Sequence, residues 1–298
     1  VGLRFSVLGP VDAYEDGRVI DLGSPRQRYV LGALLIDANR VVPSDELTAR
    51  IWGEDPPLRA VPTLQSYLSR LRSLLPAEIL RRPGGYVIQV DEETVDLHRF
   101  RRCSENARDT DDDTAASLLT EALGLWRGPV LAGLDTPWAV DIRAAAHAEK
   151  LTAELDFYDV QLRRGEHAAV LVELTARADS NPLDERLAGQ LLLALYRSGR
   201  QAEALQRYEE VRLRLADELG ADPAPALQQL HQQMLAAAPV LDGISRTRAS
   251  GNPLPRQLPA PSPVFTGRVN ELAELDAALD PQNRAGGPIA ISAVGGSG

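Results

Sequence analysis

Four arginines carry the chemistry this sequence offers most openly. Arg70 and Arg72 stand two residues apart near the end of a helix-forming run, and Arg81 and Arg82 follow inside a short β-ribbon pattern. Guanidinium groups clamp phosphates and read guanine edges through paired N–H donors. Thr63, Gln65, Ser66, Tyr67 and Ser69 surround them, with hydroxyl and amide groups suited to bases or to the sugar-phosphate backbone. Between Pro57 and Arg82 five arginines face a single carboxylate, Glu78. A local excess of this kind makes a phosphate surface even in a chain of net charge -10.

Two elements must position these side chains. In PTLQSYLSRLRSLL, Leu64, Leu68, Leu71 and Leu75 recur at helical spacing, so one face is buried and the polar, basic face stays outside. ILRRPGGYVIQV then reads as a two-stranded ribbon turning at Gly84-Gly85. A helix about 10–12 Å wide fits the major groove, and a ribbon beside it reaches phosphates or the adjacent minor groove. The pair reads as a winged helix-turn-helix. Tyr86 is expected to anchor the wing to the core through its ring.

The segments before it supply a scaffold. LRFSVLG, VDAY and RVIDL alternate as a small antiparallel sheet with an Asp16-Gly17 turn. Ser24 with Pro25 opens a helix whose buried stripe is Tyr29, Val30, Leu31, Leu34 and Leu35, and Ser44 is expected to cap the next, from Asp45 to Trp52. Arg26 and Arg28, near a helix start, either touch phosphate or form a solvated face.

Other chemistries are poorly provided for. Four histidines, at 98, 147, 167 and 231, have no ligand spacing, and the single cysteine, Cys103, reads as a structural or incidental thiol. Asp109, Asp111 and Asp113 start like a calcium loop, but Thr114 and Thr120 stand where glycine and glutamate are needed, so a solvated acidic loop is expected. There is no nucleophile elbow, carboxylate pair or dinucleotide fingerprint; no enzyme activity, metal or cofactor is expected of this chain. Lacking a signal peptide or a long apolar run, it reads as soluble and cytoplasmic, in company with the nucleoid.

Beyond Asp96 Ala-Leu helices take over. GEHAAVLVEL from Gly165 and GRQAEALQRY from Gly199 repeat at an offset of 34 residues, the tetratricopeptide spacing. The expected organisation is an α+β winged domain over 1–92, an all-α tetratricopeptide-like domain over 93–238, a Pro/Ser/Gly-rich linker over 239–263, and a further segment over 264–298. In that last segment PIAISAVGGSG resembles a strand entering a phosphate-binding loop, with Gly295, Gly296, Ser297 and Gly298 as an incomplete cradle lacking the lysine and the magnesium-binding hydroxyl.

LSRLR (68–72) and GGYVI (84–88) resemble the recognition helix and wing of OmpR-type DNA-binding domains. The resemblance implies base- and backbone-facing roles for Ser66, Tyr67, Ser69, Arg70 and Arg72, with Thr63 near a phosphate; Ser69 departs from an arginine common in the family. Together with VDLHRFRR, ALGLWRGPVLAGL and the run from ALYRSGRQ to HQQML, the chain from Leu3 to Leu235 resembles the Streptomyces antibiotic regulatory protein family. That resemblance implies an activator of antibiotic or secondary metabolism that binds direct repeats near a promoter's -35 region and recruits RNA polymerase holoenzyme with its primary sigma factor. The helical domain, termed the bacterial transcriptional activation domain, is implied to support dimerisation or protein contact, which would place a second copy on the DNA.

For the polymerase, Trp52, Glu54, Asp55, Leu58 and Arg59 form the candidate contact, in a Pro-rich loop that otherwise is a rigid spacer. FTGRVNELAEL resembles the entry of signal-transduction ATPases with numerous domains, implying a piece of a larger regulator that uses ATP and magnesium; a natural chain with a flexible Gly-rich end is the alternative. A helical-repeat interaction scaffold and a regulatory fragment of a phosphate-loop hydrolase are the other functional readings. Salt-sensitive, sequence-specific DNA binding separates the activator from both.

Overall fold

The computed structural model describes residues 2–242. The expectations for residues 243–263 and for 264–298, with Gly295 to Gly298, lie outside the described residues.

The chain opens with an antiparallel sheet of β1 (Leu3–Ser6), β2 (Asp12–Glu15) and β3 (Arg18–Ile20). Glu15 pairs with Arg18, leaving Asp16-Gly17 as a two-residue turn, both at positive φ, the requirement that favours Asp-Gly here. Helix α1 (Pro25–Ile36) follows, with the Ser24 hydroxyl accepting from the Gln27 N–H. The sequence suggests one buried stripe on α1, but Gln27, Val30 and every residue from Leu31 to Ile36 are buried. The reason is that α1 is covered on several sides. A Cβ placed on Gly32 would come within 2.7 Å of Leu131 and 2.9 Å of Val11, so helical-domain residues press on it as closely as the N-terminal sheet does.

A short strand, β4 (Val42–Pro43), leads into α2 (Ser44–Trp52), and α3 (Ala60–Leu74) leads into β5 (Glu78–Arg82) and β6 (Gly85–Gln89). Ser44 does not cap α2: Pro43 holds the cap position and makes no side-chain bond, while the Ser44 N–H donates to the Gly84 carbonyl. The wing turn also differs from expectation. Arg82 pairs with Gly85, so the turn is Pro83-Gly84, with Gly84 at φ 85°. Gly85 is instead a strand residue, required because a Cβ there would lie 2.1 Å from the Val42 carbonyl oxygen across the β4–β6 pairing.

Helices α4 (Asp96–Asn106), α5 (Asp112–Gly124) and α6 (Pro137–Arg163) complete this first core. Leu97, Phe100, Leu119, Leu131 and Ala139 share one continuous apolar cluster with Phe5, Leu34 and Leu68. Backbone bonds reinforce the junction: the N–H groups of Arg127, Leu131 and Ala132 donate to the carbonyls of Leu8, Val7 and Gly9. The 27 residues of α6, about 40 Å of helix, enter a second core at Leu155, Tyr158 and Leu162.

That second core is a stack of α7 (His167–Ser180), α8 (Glu185–Arg197), α9 (Gln201–Leu219) and α10 (Pro225–Leu235). Gly165 and Gly199, both at positive φ, precede α7 and α9, so the 34-residue offset is the repeat of a helix pair. Pro239–Asp242 forms a 3-10 turn that buries Leu241 in this cluster, and the Arg197 Nε donates to its carbonyl at 2.7 Å. The acidic run is a helix cap with ion pairs: Asp111 accepts from the N–H groups of Asp113 and Thr114, and Asp112 and Asp113 meet Arg163 and Arg164. Cys103 is buried, and burial pushes its thiol pKa up. No described helix is long and apolar enough to cross a membrane.

Candidate nucleic-acid interface

Helix α3 turns its leucines inward as their spacing requires: Leu64, Leu68 and Leu71 are fully buried. Gln65, Ser66, Ser69, Arg70 and Arg72 are exposed on the opposite side, and Arg81 and Arg82 are exposed on the neighbouring β5. Tyr67 is half-buried and packs against the core, so only part of it is presented. The Thr63 hydroxyl donates to the Arg59 carbonyl at 2.8 Å, a bond that a phosphate contact must exchange.

The basic residues divide into two groups. Arg59, Arg70, Arg81 and Arg82 form no ion pair among the described residues, and an unpaired surface guanidinium is ready to bind a phosphate without first losing a partner. Arg72 differs. Its Nε donates to the Ile79 carbonyl at 2.6 Å and its guanidinium lies 5.8 Å from the centre of the Tyr86 ring, so it fixes the wing to α3. Tyr86 itself is 5% exposed and anchors the wing from inside.

At the start of α1, Arg28 is answered by Asp12 at 2.9 Å and by Asp21 at 3.8 Å. Arg26 donates to the Ile51 carbonyl near the end of α2. Both arginines hold elements together, so neither is an idle charge on a solvated face.

The loop between α2 and α3 carries Leu58, fully exposed, with Glu54, Asp55 and Arg59 also outside. Trp52 is set apart from them: it is the last residue of α2, half-buried against the core.

Sequence reasoning missed the side chains that orient this surface relative to the helices behind it. Arg50, 7% exposed, donates to the Ala33 carbonyl, pairs with Asp37 and Glu46 at 2.6 Å each, and lies 4.7 Å from the Trp138 ring of α6. The Thr136 hydroxyl caps α6 and donates to the Arg50 carbonyl at 2.8 Å. Asp96 accepts from the N–H groups of Val7 and Leu8, tying α4 to the end of β1. Burial raises its pKa to about 6, against the lowering pull of those bonds and of Arg127. One clue was available: Arg50 follows Leu47 by three residues on the apolar side of α2, where a charge must find partners.

The sequence matches two family models that meet at this junction. Residues 17–90 match the transcriptional regulatory protein C-terminal family, and residues 95–235 match the bacterial transcriptional activator domain. The regulatory protein DnrI of Streptomyces peucetius is 32% identical, the match covering 80% of this chain and 94% of DnrI. The chain belongs to the Streptomyces antibiotic regulatory protein family.

The regulatory protein AfsR of Streptomyces coelicolor is 42% identical over 99% of this chain, which spans only 31% of AfsR's length. A solved structure of Mycobacterium tuberculosis EmbR, in complex with a low-affinity phosphopeptide, superposes with a TM-score of 0.72 at 35% identity, covering 80% of this chain and 66% of that one. The family therefore accounts for both halves of the fold: a winged-helix region and a tetratricopeptide-like helical domain. Its members are transcriptional regulators.

Proposed function

We propose that this chain binds promoter DNA sequence-specifically through α3 and the wing, and activates transcription by recruiting RNA polymerase holoenzyme. The observation that carries the reading is the set of unpaired, exposed arginines, Arg70 on α3 and Arg81 and Arg82 on the adjoining β5, in a helix and hairpin that Arg72 and Tyr86 lock together. In this reading α3 enters the major groove with Arg70 toward base edges, while Arg81 and Arg82 hold the backbone or the next minor groove. Each phosphate held releases counterions, so log affinity falls by about 0.9 per contact for each unit of log salt. Family membership supports direct-repeat sites near the -35 region, filled by two copies head to tail, with Leu58, Glu54, Asp55 and Arg59 facing the sigma factor. ATP and magnesium enter only through a longer protein with a complete phosphate loop.

The test is DNase footprinting of this chain on promoter DNA, with and without holoenzyme, beside an Arg70→Ala/Arg81→Ala variant. Direct-repeat protection that strengthens with polymerase and is lost in the variant is the expected result. Absence of specific protection under every condition would replace this reading with that of a helical interaction scaffold.

A further inference from the structure

We propose that the open cavity of about 250 Å³ between the N-terminal sheet and the start of α4 is a binding site for a small organic anion with one planar ring, and that such a ligand braces the junction of the two domains. Its walls come from three separate pieces of chain: Arg4 and Tyr14 from the sheet, Thr94, Asp96 and Arg99 from the entry to α4, and Arg127 from the connection between α5 and α6. A ligand seated there touches the winged domain and the helical domain at once.

The charges around the cavity select the ligand class. Three arginines and two carboxylates, Asp96 and Glu93, face it. Glu93 is already paired with Arg102, and Asp96 is held by the Val7 and Leu8 N–H groups. Arg99 is satisfied by Glu121. Arg4, by contrast, has no ion pair among the described residues, and Arg127 reaches Asp12 only at 3.5 Å while donating to the Tyr14 hydroxyl at 2.9 Å. The uncompensated charge is therefore positive.

Size and shape complete the argument. An apolar cavity of about 150 Å³ holds benzene, so this volume admits one ring bearing a charged group. Tyr14 and Leu125 contribute apolar surface to the lining, and Thr94 a hydroxyl. An anion beside Asp96 favours its protonated form, and that carboxyl, with pKa about 6, is poised to take up the proton. Arg4, Arg99, Arg127 and Glu93 are the other charged groups on these walls.

The experiment is calorimetric titration of the chain, without DNA, with benzenesulfonate, whose charge is fixed across the pH range, in parallel with the neutral benzyl alcohol and the cationic benzylamine. Saturable binding of benzenesulfonate alone is expected, weakened about tenfold by Arg4→Ala, the loss of one charge-assisted contact, and unchanged by Arg81→Ala in the wing. Affinity is expected to rise as pH falls through about 6, a dependence abolished in Asp96→Asn. No binding of benzenesulfonate overturns the proposal, and so does binding indifferent to Arg4→Ala or equally weakened by Arg81→Ala. Preference for benzylamine would overturn the anionic class. DNA is absent from every arm, so the outcome is independent of the promoter-binding reading.

Discussion

At the scale of single residues, neighbouring arginines of the same type do different work. Arg70 and Arg72 are two positions apart and both exposed, but only Arg72 is bonded to the wing. Arg70→Ala is expected to weaken specific DNA binding by about 1–3 kcal/mol while leaving thermal stability unchanged. Arg72→Ala is expected to lower stability by roughly 1 kcal/mol, with weaker binding following from a loosened wing; melting curves beside gel-shift titrations separate the two. A residue buried with its charge makes a different prediction. Asp96 has a folded pKa raised to about 6 from 3.8, so its ionised form is disfavoured in the fold and its contribution to stability declines as pH rises between those values. Asp96→Asn cannot ionise, so the stability of the variant relative to the parent is expected to improve across about pH 4 to pH 6, read by denaturant unfolding at each pH. A flat difference curve would mean that the carboxyl titrates normally.

Among elements, the leucine spacing of α3 was legible because a helix buried on one face has only one way to place Leu64, Leu68 and Leu71. The wing was legible as a hairpin but not in its turn, since a Gly-Gly pair leaves open which glycine needs positive φ and which needs space. Gly84 needs the first and Gly85 the second. Gly85→Ala is therefore expected to break the β4–β6 pairing and destabilise the domain by about 2 kcal/mol or more, whereas Gly84→Asn, at a residue type that tolerates positive φ, should cost less; thermal denaturation of the two variants checks the order. The embedding of α1 was not legible at all. Its apolar run is compatible with one buried face or with burial all round, and only the arrival of Leu131 from a hundred residues away decides between them.

Across the whole molecule, the two family segments are fused more closely than their separate names imply. The apolar cluster runs from Phe5 to Val160, and Arg50 spans the boundary through its contact with Trp138 and its carbonyl's bond with Thr136. Arg50→Ala strands Asp37 and removes the ring contact, and is expected to cost roughly 3 kcal/mol, measured as a fall in unfolding free energy. A fragment of residues 1–92 lacks Leu97, Phe100 and Leu131 and the carboxylate that satisfies the Val7 and Leu8 N–H groups. It is expected to be far less stable than residues 2–242 to heat and to proteolysis. Equal stability would show that the shared core contributes little to the winged domain.

The sequence by itself determined the order of elements, the polar and basic face of α3, the helix-pair repeat after Gly165, and the membership that those motifs signal. All of these depend on spacing within a short window, where a helix or strand period forces the outcome. The tertiary structure decided which arginines are free and which are bound, where Asp96 and Arg50 find partners, and that the cavity exists between Arg4 and Arg127. Those features depend on groups up to 123 positions apart in the chain, brought together by the folding of one core, and no local period encodes such a distance.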